Sequence, residues 1–280
     1  MRSWFFAALV VGLLFGVGSA AADSSGRKPS KKDRKAVEKA AAAFLECAKK
    51  KDVACLETKL EELKAKPQLA CGELLGHLEA KKLEVHRWVA RALVACKCKE
   101  GVDIAIDLLG LPDWEFKAEL VTEFAPSKDK RLLEPVSKLV DKGRPFEREM
   151  GCKALGVLGI PEAIPVLVRA TSHSMFSVRL EAARALGEFK DKRSTDTLCA
   201  LVTNDSNAGV KKQSADSLAK LKDLQSVPCL AKGLNDRVGL VVTACHEALK
   251  AVTGVDVGIA PLAWEQWWDK NKPAKKRGRP

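Results

Sequence analysis

The sequence predicts an all-α fold, a right-handed α-solenoid of stacked antiparallel helix pairs. Three observations predict it. First, Leu93, Phe124, Leu155, Leu186, Leu218 and Leu249 stand 31, 31, 31, 32 and 31 residues apart, and a period of that length marks an array of stacked units. Second, the neighbours keep step. Eight residues before each anchor come Val85, Phe116, Glu147, Val178, Val210 and Val241, and four before come Val89, Leu120, Gly151, Ala182, Ser214 and Cys245. Offsets of −8, −4 and 0 share one helical face. Third, an apolar stretch follows most anchors, with turn residues in between, and no sustained apolar–polar alternation competes as a strand.

Each unit therefore reads helix, turn, helix, turn. About 31 residues divides into two helices near the average length. The second helices carry Ile104 to Leu109, Val136 to Val140, Ile164 to Val168, Leu198 to Val202 and Val227 to Leu234. Gly101, Pro126, Gly159-Ile160-Pro161, Gly187 and Lys222-Asp223 mark the turns, because glycine ends helices and proline opens them. The domain reading is 1–22 signal peptide, 23–35 basic flexible linker, 36–270 solenoid and 271–280 basic tail. Trp264, Trp267 and Trp268 follow the break at Gly258 and Pro261. They predict a capping helix that covers the open end of the core while Glu265, Gln266, Asp269 and Lys270 face water.

At this point the residues resemble a known family. Ser177-Val178-Arg179-Leu180-Glu181-Ala182-Ala183-Arg184-Ala185-Leu186-Gly187 resembles the first helix of a HEAT-like repeat, and Ala154 to Leu167 resembles the turn and second helix. The likeness is to the short bacterial variety, also found in phycobilin lyase subunits. It is strongest over 145–235 and weaker over 52–144, and it departs at Val242, where the basic residue after the valine is missing. The ending from Thr253 to Trp268 resembles that of some secreted bacterial HEAT-like proteins. The resemblance implies an ARM/HEAT-like superhelix that binds partners, usually proteins, along a concave face lined by second helices. It implies no single activity.

The two ends give the location. Trp4 to Val17 is an uncharged apolar run of 14 residues after Arg2, and Ala20 and Ala22 satisfy the small-x-small rule for cleavage before Asp23. This reads as a secretory signal peptide, shorter than a span of about 20 residues. An uncleaved signal is the one route to a membrane. The expected location is outside the cytoplasm, periplasmic or secreted. Against easy export, Arg27, Lys28, Lys31, Lys32, Arg34 and Lys35 crowd just after the run, where positive charge opposes translocation. The chain has 48 basic and 36 acidic residues, a net +12. That balance suits an acidic partner or surface. Arg277-Gly278-Arg279-Pro280 resembles an AT-hook core, which keeps DNA or another polyanion as the alternative partner.

Nine cysteines follow the signal, and an exported chain is expected to form disulfides. Cys47 and Cys55 flank a turn and can staple two antiparallel helices. Cys71 has Cys96 or Cys98 in the next unit, and closing the Cys71–Cys96 loop contributes about 3 kcal/mol in the chain-entropy model. Cys199 and Cys229 hold nearly matching places in successive second helices. Cys152 and Cys245 fall on the core stripe. The competing assignment is a metal site from Cys71, His77, His86, Cys96 and Cys98, and its spacing lacks a Cys-x-x-Cys pair.

The enzyme reading finds little support. The iron-dependent deoxyhypusine hydroxylases are HEAT-like enzymes with paired His-Glu motifs. This chain has one pair, His246-Glu247, and the preceding units hold Ala215-Asp216 and Ala183-Arg184. No nucleophile elbow, P-loop or dinucleotide motif is present. A bilin-lyase-like subunit is the remote alternative. The sequence thus assigns no catalytic residue, metal or cofactor, and predicts a non-enzymatic scaffold for a protein or peptide partner.

Overall fold

The computed structural model describes residues 29–273 apart from 77–82, 111–116, 118–119 and 123. All regular structure among the described residues is helical. The chain divides into two compact units, Met1–Pro112 and Asp113–Pro280.

In the first unit, α1 (Lys31–Lys50) starts where the Ser30 hydroxyl accepts from the Asp33 amide, and it ends at Lys51 in the left-handed region with φ 57°. The stretch 23–35 read as linker is thus already helical from Lys31, because Ser30 caps it. Val37, Ala40, Ala41, Phe44 and Ala48 form its buried face. α2 (Val53–Lys64) is capped by Asp52, whose carboxylate accepts from the Cys55 amide. α3 (Pro67–Gly76), α4 (Leu83–Ala95) and α5 (Lys99–Leu109) follow. α1 packs on α2, α3 and α4, and α4 packs on α5. Gly101 is not the turn that the sequence suggests. It lies within α5, where an added Cβ would meet the Leu93 Cβ at 2.8 Å, so its missing side chain lets α5 lie against α4.

The second unit repeats more regularly. Helical turns at 120–122 precede α6 (Leu133–Lys142), and then come α7 (Pro145–Leu158), α8 (Ile164–Ala170), α9 (Phe176–Leu186), α10 (Lys192–Asn204), α11 (Ala208–Leu221), α12 (Val227–Gly233), α13 (Gly239–Thr253) and α14 (Pro261–Asn271). The first helices α7, α9, α11 and α13 stack in one row, and the second helices α6, α8, α10, α12 and α14 stack in another. The fold is an all-α solenoid of helix pairs, as the sequence predicts. The anchors are its core: Leu93, Leu155, Leu186, Leu218 and Leu249 are 0 % exposed and Phe124 is 1 %. At Gly156, next to an anchor, α7 and α9 approach closely, since a Cβ there would stand 3.0 Å from the Ala185 Cα.

Glu147 is the exception on the stripe, a buried carboxylate where other units place an apolar residue. It is tolerated because it caps its own helix, accepting from the Arg144 amide at 2.7 Å, and pairs with Lys117 at 3.5 Å. At the other end Trp264 is 0 % exposed. Its indole Nε1 donates to the Gly258 carbonyl at 2.6 Å, and its ring meets Trp267 edge-on at 6.1 Å. Trp264 is therefore the plug of the capping helix, while Trp267 and Trp268 are half-buried.

Candidate binding surface

The turns that lead from each second helix to the next first helix are tied together by a ladder of ion pairs. Arg179 on α9 donates through Nε and Nη2 to both oxygens of Asp205, at 2.7 and 2.9 Å, in the turn ahead. Its Nη1 donates to the carbonyls of His173 and Ser174, at 2.9 and 3.0 Å, in the turn behind. Lys211 on α11 makes the next rung to Asp236 at 2.7 Å. Arg179 and Lys211 hold equivalent repeat positions, as do Asp205 and Asp236. The ladder stops at Val242, which holds the same position in the last such repeat. The missing basic residue there has a physical reason, since no further repeat turn follows for it to grip.

Both carboxylates are withdrawn from solvent, with side chains 4 % exposed for Asp205 and 12 % for Asp236. Burial pushes the Asp205 carboxyl up, but hydrogen bonds from Arg179 and the Asn207 amide outweigh it and hold the group below its ordinary value. Asp236 is lowered chiefly by Lys211. Each also braces its own turn: Asp205 accepts from the Asn207 amide at 2.8 Å and Asp236 from the Val238 amide at 2.9 Å. His173 stands at the equivalent place one turn earlier, and its Nδ1 accepts from the Met175 amide at 3.1 Å.

Two of these turns, and the turn before them, expose large apolar side chains, while the turn at Asp205 exposes none. Met175 and Phe176 are 41 % and 53 % exposed, Val238 and Leu240 are 43 % and 52 %, and Phe146 is 44 %. Lys142, Arg144 and Arg237 are exposed around them. The second helices differ. Among the described residues, α6, α8, α10 and α12 expose no large hydrophobic side chain. Much of their charge is paired internally, Glu134 with Lys138 at 2.8 Å, Asp141 with Arg169 at 2.9 Å, Asp191 with Arg193 at 2.9 Å, and Asp196 with Lys192. Among the described residues of this unit, Val157 stands exposed near the end of α7 and Val255, Ile259 and Leu262 stand exposed where the chain enters α14, while Phe146, Met175, Phe176, Val238 and Leu240 lie along the turn edge. The signal was present at offsets −9 to −11, just off the buried stripe, but periodicity reports what is inside.

The cysteines fall into place. Cys47 faces Cys55, Cys71 faces Cys98 and Cys199 faces Cys229, each pair at disulfide distance, with Cα separations of 5.8, 6.0 and 5.4 Å. Of the two partners left open for Cys71, Cys98 at the start of α5 is the one brought to it. Cys96 ends the buried face of α4 and is free and buried, as are Cys152 and Cys245. Burial pushes these thiols up, to about 11 for Cys96 and about 12 for Cys152 and Cys245. Of the residues of the metal alternative, Cys71 and Cys98 face each other and Cys96 is free and buried, and His77 and the His86 side chain lie outside the described residues. No cluster of three or more metal-binding side chains occurs among the described residues. His246 has a structural partner, with Nε2 2.9 Å from an oxygen of Asp256. The Gly258 amide, and then His246, lower the Asp256 carboxyl.

Residues 1–22 and Arg277 to Pro280 lie outside the described residues. Among those described, no helix is long and apolar enough to cross a membrane.

The family profile of HEAT repeats matches residues 169–250. This stretch is a run of HEAT repeats. It takes in α9 to α12 and nearly all of α13, so the HEAT repeats carry both rungs of the ladder and most of the apolar edge. No curated protein matches the sequence. Similar solved structures include human deoxyhypusine hydroxylase in complex with glycerol, at 15 % identity over 80 % of this chain and 98 % of that chain, TM-score 0.40. They also include the complex of CpcE and CpcF of phycocyanin lyase from Nostoc sp. PCC7120, at 19 % identity over 90 % of this chain and 98 % of that chain, TM-score 0.43. An engineered protein is similar at 19 % identity over 78 % of this chain and 96 % of that chain, TM-score 0.37.

Proposed function

We propose that the chain is a non-enzymatic scaffold that binds a protein partner outside the cytoplasm, in the periplasm or beyond the cell. The observation that carries the binding role is the turn edge. A repeat array closes its own core against its neighbours, yet here large apolar side chains stay at the surface on three of four successive turns, and grouped exposed apolar side chains mark interaction sites. The location rests on two supports: the apolar N-terminal run that reads as a signal, and three cysteine pairs at disulfide distance, a chemistry that persists in oxidising compartments.

Two measurements test the two halves. A photo-crosslinking amino acid at Met175, with a control at Lys153 on the exposed outer side of α7, is expected to give protein adducts in the source cell at Met175 alone. Intact mass of the native protein is expected to show an N-terminus at Asp23 and a gain of two hydrogens per bridge on reduction. Adduct-free Met175, or a chain that keeps residues 1–22 with every thiol reduced, would overturn the corresponding half.

A further inference from the structure

We propose that the edge formed by the turns at 172–176 and 235–240 receives an acidic amphipathic helical segment of a partner protein. The proposal rests on the scaffold reading and names the chemistry of its partner. Phe176 opens α9 and Leu240 lies in the first turn of α13, with α11 stacked between them. At 8–10 Å per helix packing step, these two apolar lips stand about 20 Å apart. Between them α11 begins with Ala208 and Gly209. Gly209 carries no side chain, and the Asn207 carboxamide oxygen accepts from its amide at 2.9 Å, so small residues and this cap floor a dip between the lips. A helix of about 13 residues spans that distance, and its apolar side chains would seat against Phe176 and Leu240.

Charge selects an acidic partner. The two carboxylates of these turns, Asp205 and Asp236, are held inward by Arg179 and Lys211. The exposed charged side chains along this edge are Arg237 in the second of the two turns and, one repeat beyond Phe176, Lys142 and Arg144, while the neighbouring Asp141 is paired with Arg169 at 2.9 Å. Cations flanking an apolar edge on both sides attract acidic segments and repel basic ones. A dip between two separated lips suits discrete side-chain knobs better than a flat bilayer surface.

The test uses the full chain and a fluorescein-labelled helical peptide of about 16 residues, with leucines on one face and glutamates on the other, read by fluorescence anisotropy. Binding is expected. It should weaken by about tenfold or more for Phe176→Ser with Leu240→Ser, and likewise for Arg144→Glu with Arg237→Glu, as loss of interface anchors does. Lys153→Glu should leave it unchanged. The charge-reversed pair alters only exposed side chains, so it keeps the test decisive if the apolar pair unfolds. Absence of binding would overturn the proposal. So would equal binding of a polyglutamate peptide without leucine, or sedimentation with phosphatidylglycerol vesicles that Phe176→Ser with Leu240→Ser abolishes while the peptide stays unbound. If the peptide fails while Met175 still yields adducts in cells, the scaffold stands and the partner chemistry falls.

Discussion

The ladder makes a quantitative prediction through Arg179→Met. The substitution keeps much of the aliphatic stem and removes four donated hydrogen bonds, two to Asp205 and two to the turn behind. Asp205, 4 % exposed, keeps only the Asn207 amide as a direct donor. Breaking a buried pair from one side costs about 3–5 kcal/mol. The retained amide, and Lys211, which also lowers Asp205, place this case near the low end, about 3 kcal/mol. Asp205→Asn keeps an acceptor for the turn and should cost about 1–2 kcal/mol. The two changes share one interaction, so the double variant should fall short of their sum by about 1 kcal/mol or more. Urea unfolding at neutral pH reads all three. The pH dependence follows from sign. The folded Asp205 carboxyl is held below its ordinary value, so its contribution is present above about pH 4, the unfolded aspartate value. It is lost as pH falls through the lowered folded value. The gap between wild type and Asp205→Asn should therefore close in acid. A loss under about 1 kcal/mol for Arg179→Met, full additivity, or a gap that persists below the folded value would refute the reasoning.

Other outcomes follow from the same packing. Trp264→Ala should cost about 3–5 kcal/mol by cavity formation, and Trp268→Ala much less, since Trp264 alone is fully buried; calorimetry of both separates plug from flank. Gly156→Val should destabilise by about 1–3 kcal/mol through overpacking against Ala185, whereas Lys153→Val on the outer side should be near neutral. Cys96, Cys152 and Cys245 should resist iodoacetamide at pH 8 in the native protein, because burial holds their thiols at about 11 to 12, and should alkylate in urea; rapid native labelling would contradict the burial.

The repeat register was legible because apolar side chains at fixed offsets can only be satisfied by neighbours. Leu155, Leu186, Leu218 and Leu249 are where that logic puts them. What the pattern hid has physical causes. Gly101 looks like a turn residue, but close approach of α5 to α4 demands the same absence of a side chain. Lys31 to Lys35 look like a charged linker, yet a helix needs only a cap and one apolar face, and Ser30 with Val37 and its successors supply both. Cys71 had two reachable partners, and only the path of the backbone after Ala95 decides that Cys96 turns to the core while Cys98 turns to Cys71. The turn edge was hidden for a different reason. Phe176 and Leu240 sit one or two residues off the buried stripe, and a periodicity count treats them as noise.

The central claim is that second helices of successive repeats lie side by side in register, and peptide mapping of the oxidised, purified protein tests it most directly. Cys199 on α10 and Cys229 on α12 are 30 residues apart in sequence with Cα atoms 5.4 Å apart in the fold. The map is expected to contain the linkages 47–55, 71–98 and 199–229, with Cys96, Cys152 and Cys245 as thiols. Linkage of Cys199 to any cysteine other than Cys229 would contradict the stacking.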